Sequence, residues 1–111
     1  MHYKLEITQE ADRDLDNILR YMNARFYKGT ARRFYENIRE KYDIISDNPK
    51  AFPVSRIDEL AEKGWRFAPV GNYLIFYKVF DSEKTVTILR LIDGRSNYME
   101  QLFDSSKVTY Q

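Results

Sequence analysis

Arg66, Arg90, Arg95 and Tyr98 are the side chains in this sequence best suited to chemistry, and all four fall in its last half. Arg90 interrupts an otherwise apolar run, and Arg95 follows Asp93-Gly94 directly after that run. A guanidinium in such a setting needs water, a carboxylate or a ligand. One reading is a structural ion pair, with Asp93, Asp81 or Glu100 as the partner of Arg90. The other is a cationic patch on an exposed sheet face, joined by Lys78, that would bind phosphates or an acidic partner segment. Tyr98 lies three residues past Arg95. A phenol there would act as a general acid or base if its pKa were lowered; the plainer role is packing with a wet hydroxyl.

Most other chemistries are excluded by composition. The chain has no Cys and a single His, His2. Disulfides, thiolate zinc sites and His-based metal sites are therefore not expected, and no cofactor is implied. There is no phosphate loop, nucleophile elbow or pair of carboxylates in a catalytic context. Eighteen basic residues against 17 acidic ones leave a net charge of +1. That balance rules out a globally basic nucleic-acid binder but not a local basic patch. Such a patch lies in Arg20, Arg25, Lys28, Arg32, Arg33, Arg39 and Lys41, opposed only by Glu36 and Glu40. A charge run on a helix is usually a solvated face, with a partner role as the alternative. Asp12, Asp14 and Asp16 read likewise as a solvated helix surface. Residues 1–4 contain no apolar stretch of the signal-peptide type. The longest apolar run, 73–77, is far too short to span a bilayer. A cytoplasmic protein is the expectation, with no membrane partner.

The 111 residues suit one domain, 1–111, able to bury a core without staples. Its organising stretch is 64–98, which reads as three strands, 65–70, 73–80 and 85–92, joined by two tight turns. Gly71-Asn72 is a two-residue hairpin loop with Gly supplying positive φ, and 81–84 is a polar turn. Pro69 cannot donate to a ladder, so the first of these strands should be an edge. The strands 73–80 and 85–92 are apolar at both parities and should be central. Parity places Arg90 with Val86, Ile88 and Ile92, away from Thr87, Leu89 and Leu91, without saying which set faces the core.

A meander cannot bury its own apolar faces, so other elements must cover one. Residues 2–7 alternate, with Tyr3, Leu5 and Ile7 on one side, as in a half-buried edge strand. Thr8 suits a helix N-cap, with Glu10 and Asp12 in the first turn. Ala11, Leu15, Ile18, Leu19 and Met22 make the apolar stripe of a helix over 9–26. Gly29 breaks the pattern and Thr30 can cap again. Ala31, Phe34, Ile38, Tyr42 and Ile45 mark a second helix over 30–47, stopped by Asn48-Pro49. A short connection makes these an antiparallel hairpin. A helical turn is expected near 57–61, a short helix over 96–103 capped by Ser96, and a polar tail over 104–111. The nine Tyr, seven Phe and one Trp mostly fill the core. The fold class is α+β: a small antiparallel-rich sheet of an N-terminal strand plus the meander, packed on the helix hairpin. The opposite sheet face is either open or covered by something else.

The chain resembles toxins of the RelE/ParE superfamily from type II toxin–antitoxin modules, the plasmid-stabilisation proteins. The resemblance spans about residues 3–103. It rests on Tyr3 to Ile7 followed by Thr8-x-x-Ala11-x-x-Asp14-Leu15-x-x-Ile18, and on the Ala31-x-x-Phe34 helix ending at Asn48-Pro49. It continues with Trp65-Arg66, the strand from Asn72-Tyr73 to Lys78-Val79, and Ile88-Leu89-Arg90 through Asp93-Gly94-Arg95-Ser96-Asn97-Tyr98. It implies a compact sheet backed by a helical hairpin and a cognate antitoxin whose C-terminal segment wraps the toxin. No sequence-specific DNA binding by this chain alone is implied. RelE-like members cut mRNA on the ribosome with Arg, Lys and Tyr side chains; there Arg66, Arg90, Arg95 and Tyr98 would be the catalytic set. ParE-like members usually lack that constellation, and many poison DNA gyrase; there Arg66, Lys78, Arg90 and Arg95 would bind antitoxin or target. Lys50, Arg56 and Lys63 are scattered rather than forming the lysine-rich loop of the RelE branch. Asp93 stands where ParE-like chains often have His. The regular hairpin and the segment after the last strand favour the ParE branch; a ParE-like chain would be a binding protein and a RelE-like one a ribosome-dependent endoribonuclease, so enzymatic activity is left open. A member that binds antitoxin but is no longer toxic is a third alternative. Loss of toxicity in Arg90→Ala without loss of stability would mark Arg90 as functional; unfolding would mark it as structural.

Overall fold

The computed structural model describes residues 2–96 and Leu102. Along the chain run β1 (Lys4–Ile7), α1 (Gln9–Arg25), α2 (Thr30–Asp47), α3 (Asp58–Glu62), β2 (Trp65–Val70), β3 (Tyr73–Phe80) and β4 (Thr85–Asp93). Tyr98, the tail and the expected helix over 96–103 lie outside the described residues, apart from Ser96 and the helical, buried Leu102.

Local chemistry explains the boundaries. Thr8 is the N-cap of α1: its hydroxyl accepts the Ala11 N–H at 3.0 Å, and Glu10 and Asp12 sit in the first turn beside the positive end of the helix dipole. The second cap differs from expectation. Thr30 is already helical, and Gly29 occupies the N-cap with φ of 96° and no side-chain cap bond. The tight interhelical connection demands a left-handed residue there, which only glycine adopts without strain. Gly71 has φ of 59° at the first position of the two-residue turn between β2 and β3.

The sheet order is β1-β4-β3-β2. β2, β3 and β4 form the antiparallel meander, and β1 pairs parallel with β4 from Lys4↔Thr85 to Ile7↔Ile88. β2 is the outer strand, as Pro69 requires; among the described residues only a short bridge, Val54↔Arg66, lies beyond its first half. All five residues of the α2 stripe are buried, and Ala11 and Met22 of α1 join them. Against this hairpin the sheet presents Ala68, Val70, Ile75, Tyr77, Val86, Ile88 and Leu91. Burial raises the Tyr42 and Tyr77 phenols to about 12, so both stay neutral; Tyr77 donates to the Pro49 carbonyl at 2.7 Å.

The opposite face is not left open. Phe76 and Ile92 form a second cluster with Leu60 of α3 and Leu102, flanked by Ile57, Trp65, Phe67 and Leu74. The parity assigned to β4 is corrected at one point. Phe76 pairs with Arg90 but Tyr77 pairs with Ile88, so Leu89 is an extra residue, a β-bulge. One inserted residue exchanges the faces. Val86 and Ile88 therefore share the hairpin side with Leu91, while Ile92 lies in the other cluster.

Candidate functional site

The bulge sits where β1 ends. β1 covers the outer edge of β4 only as far as Ile88, so among the described residues no strand pairs with 89–93 on that side. Unpaired backbone groups on a sheet edge need partners. The start of α1 supplies them. The Thr8 N–H donates to the Ile88 carbonyl at 3.1 Å, and the Thr8 hydroxyl donates to the Leu89 carbonyl at 2.9 Å. Two turns on, Asp14 Oδ2 accepts the Leu91 N–H at 2.9 Å. One threonine thus caps the helix and helps hold it to the strand it covers.

Asp14 is also the partner of Arg90. The Arg90 Nε donates to Asp14 Oδ2 at 2.8 Å and Nη2 donates to Oδ1 at 3.0 Å. The side chains are only 12% and 15% exposed. This bidentate geometry fixes both planes at once. It corrects two expectations. Among the described residues the ion-pair partner of Arg90 is Asp14 rather than Asp93 or Asp81, and Asp14 is not merely a solvated residue of an acidic helix face; Glu100 lies outside the described residues. The helical wheel carried the signal: Asp14 lies three residues from the buried Ala11, on the flank of the apolar stripe, where a side chain reaches the strand beneath.

Arg66, Lys78 and Arg95 each have separate surroundings. Arg66 lies on β2 opposite Tyr77 and donates to the Phe52 carbonyl at 2.7 Å, pinning the 49–57 loop to the sheet edge. Lys78 is opposite Trp65, and its ammonium lies 5.2 Å from the Phe80 ring centroid. Arg95 is exposed and returns onto Asp93: its Nε and backbone N–H donate to Oδ1 at 3.1 and 2.9 Å, and Nη2 donates to Oδ2 at 3.0 Å. These bonds hold the Asp93 carboxyl below the usual carboxylate range. The structure thus gives Arg66, Arg90 and Arg95 three different partners, a backbone carbonyl, Asp14 and Asp93.

A groove of about 450 Å³ lies between α1 and the uncovered end of β4. Tyr21, Tyr73, Leu91, Asp93, Arg95 and the Asp14 carboxylate line it. Tyr73 is anchored edge-on against Phe34 with centroids 5.0 Å apart, and burial raises its phenol, with the Asp93 charge adding to the effect. A raised phenol is a poor base at neutral pH. The groove offers two rings, an apolar strand edge and ion pairs already neutralised, which suits contact better than proton transfer. Among the described residues no cluster of His, Asp and Glu could hold a metal ion. Among them, too, no helix is long and apolar enough to cross a membrane. Tyr21 and Tyr73 escaped the sequence reading because nothing in their local pattern separates them from core aromatics.

A four-stranded mixed sheet with β1-β4-β3-β2 order, backed by an N-terminal helix pair, is the RelE/ParE-like fold. The family model for the ParE toxin of type II toxin–antitoxin systems, parDE, matches residues 5–98, and the chain belongs to that family. A search of curated proteins finds no significant match. Solved structures share the fold at low identity. The chromosomal ParDE system of Pseudomonas aeruginosa contains a chain 21% identical, with a TM-score of 0.67, over 83% of this chain and 96% of that one. The RelBE2 toxin–antitoxin complex of Mycobacterium tuberculosis matches at 23% identity and a TM-score of 0.62, over 84% and 92%. The isolated RelE toxin of Escherichia coli matches at 13% identity and 0.56, over 94% and 98%.

Proposed function

We propose that this ParE-family toxin is a growth inhibitor that acts on DNA gyrase in the cytoplasm by protein contact, and that a cognate antitoxin neutralises it. The observation carrying this reading is the engagement of its arginines. Arg90 is committed to Asp14, Arg66 to a backbone carbonyl and Arg95 to Asp93. Phosphoryl-transfer chemistry on RNA needs cations converging on one phosphate and a phenol or lysine poised for proton transfer. Arg66, Arg90 and Arg95 each engage a different protein partner, and the described phenols with shifted pKa values, Tyr3, Tyr42, Tyr73 and Tyr77, are all raised.

The groove beside β4 is the proposed contact surface. Tyr21 and Tyr73 offer ring surface there to the side chains of a partner segment. Arg95, which lines the groove, is the proposed cationic contact, with Lys78 a second one outside the groove. Arg90 and Arg66 act in this scheme by positioning α1 and the 49–57 loop.

The test pairs two assays on the purified toxin, one of gyrase supercoiling and one of translating ribosomes with primer extension on the mRNA. Inhibited supercoiling with intact mRNA is the expected result, relieved by the product of an adjacent antitoxin gene. Codon-aligned cuts would instead establish the endonuclease reading. Normal growth on expression without antitoxin would leave only the non-toxic alternative.

A further inference from the structure

We propose that the tip of the α1–α2 hairpin is a binding surface for single-stranded nucleic acid, recognised without sequence preference. The charge distribution points there first. Residues 20–33 hold five basic side chains, Arg20, Arg25, Lys28, Arg32 and Arg33, and no acidic one, although the whole chain is only +1. All five are exposed, and among the described residues no carboxylate forms an ion pair with any of them. Clustered, uncompensated cations of this kind create a local positive field despite a near-neutral chain.

Aromatic rings supply the second, independent observation. Tyr21, Phe26 and Tyr27 are 48%, 53% and 90% exposed. Phe26 stands edge-on to Tyr21, with centroids 5.9 Å apart, and the Arg25 guanidinium lies 5.2 Å from the Tyr21 centroid. Folding gains nothing from leaving a ring as exposed as Tyr27 in water. Flat rings interleaved with arginines match a chain of phosphates carrying unstacked bases: the cations track the backbone and the rings stack on the bases. A duplex hides its base faces and would use the charges alone. An acidic peptide would also engage the cations but leave the rings idle. The exposed aliphatic residues, Ile7, Ile44 and Val54, lie outside this segment, so it lacks the apolar pocket that anchors most protein partners.

The test is fluorescence anisotropy of a labelled twelve-nucleotide oligothymidylate with the purified full chain. Binding should weaken about 20- to 100-fold between 50 and 200 mM salt, as expected for three to five neutralised phosphates on a single strand. Tyr27→Ala should weaken binding about tenfold by loss of one stacking platform. At 90% exposure that change should leave the fold intact, which circular dichroism would verify. Lys28→Ala with Arg32→Ala should flatten the salt dependence, lowering the slope by about 1.4 for two lost phosphate contacts. Absence of binding at 50 mM salt overturns the proposal. Equal affinity for a duplex with no effect of Tyr27→Ala overturns the single-strand assignment. Equal affinity for a polyglutamate peptide would assign the tip to acidic protein segments instead. None of these results depends on the gyrase assay.

Discussion

Removing the Asp14 carboxylate tests how the helix is held to the sheet. Asp14→Ala takes away a bidentate ion pair with Arg90 and the acceptor of the Leu91 N–H. Breaking a buried pair by deleting one partner costs about 3–5 kcal/mol, because the other charge is left without compensation. The side chains here are 12% and 15% exposed, so water recovers part of that loss. The lower end, about 3 kcal/mol, is therefore expected, including the orphaned Leu91 donor. For a chain of this size that is a fall in Tm of about 12 °C. Arg90→Ala should cost less, about 2 kcal/mol, since Asp14 keeps the Leu91 N–H as a partner. The double variant should be little worse than Asp14→Ala, giving a coupling energy of about 2 kcal/mol in a double-mutant cycle. Guanidinium denaturation supplies the free energies, and hydrogen exchange at Leu91 reports the local effect. Costs below about 1 kcal/mol for Asp14→Ala, adding to those of Arg90→Ala within about 0.5 kcal/mol, would refute the structural assignment. Arg90 would then again be a candidate for target contact.

Three further outcomes are expected. Thr8→Ala should cost about 2 kcal/mol in denaturation, combining a lost N-cap with a lost bond to the Leu89 carbonyl, and should speed exchange of the Ala11 amide. Tyr77→Phe should cost about 1–2 kcal/mol, since the buried Pro49 carbonyl loses its donor; the Tyr77 phenol, at about 12, should show no titration near neutrality in the parent protein. Asp93 should titrate below 3.8 in carboxyl NMR and return toward it in Arg95→Ala. Its folded pKa lies below the unfolded one, so the unfolded state binds the proton more readily; the stability it contributes is present above about pH 4 and is lost as pH falls through the folded value.

The hairpin, the meander and the identity of the edge strands were all legible in the sequence, because each depends on a local rule. Helical stripes at 3.6-residue spacing identified Ala31, Phe34, Ile38, Tyr42 and Ile45, and all five are buried. Pro69 named β2 as an outer strand for want of an N–H, and Gly71 marked its turn for want of a Cβ. The covering of the second sheet face was not legible. Leu60 and Ile57 carry too short an apolar signal to announce that a five-residue helix seals Phe76 and Ile92.

The parity of β4 was not legible in the sequence, because of the bulge at Leu89. Alternation along β4 assumes that every residue has one partner, and a single inserted residue breaks that assumption without any mark in composition. Its consequences reach both readings of Arg90. Leu91 joins the hairpin side of the sheet, which brings its N–H and the Arg90 guanidinium to the same carboxylate on α1. The same stretch of β4, left uncovered where β1 stops, becomes the wall of the groove lined by Tyr21, Tyr73 and Arg95. Arg90 thus fastens α1 to β4 beside that groove. On the proposed function, Arg90 acts by positioning the surface where contact with the target would lie.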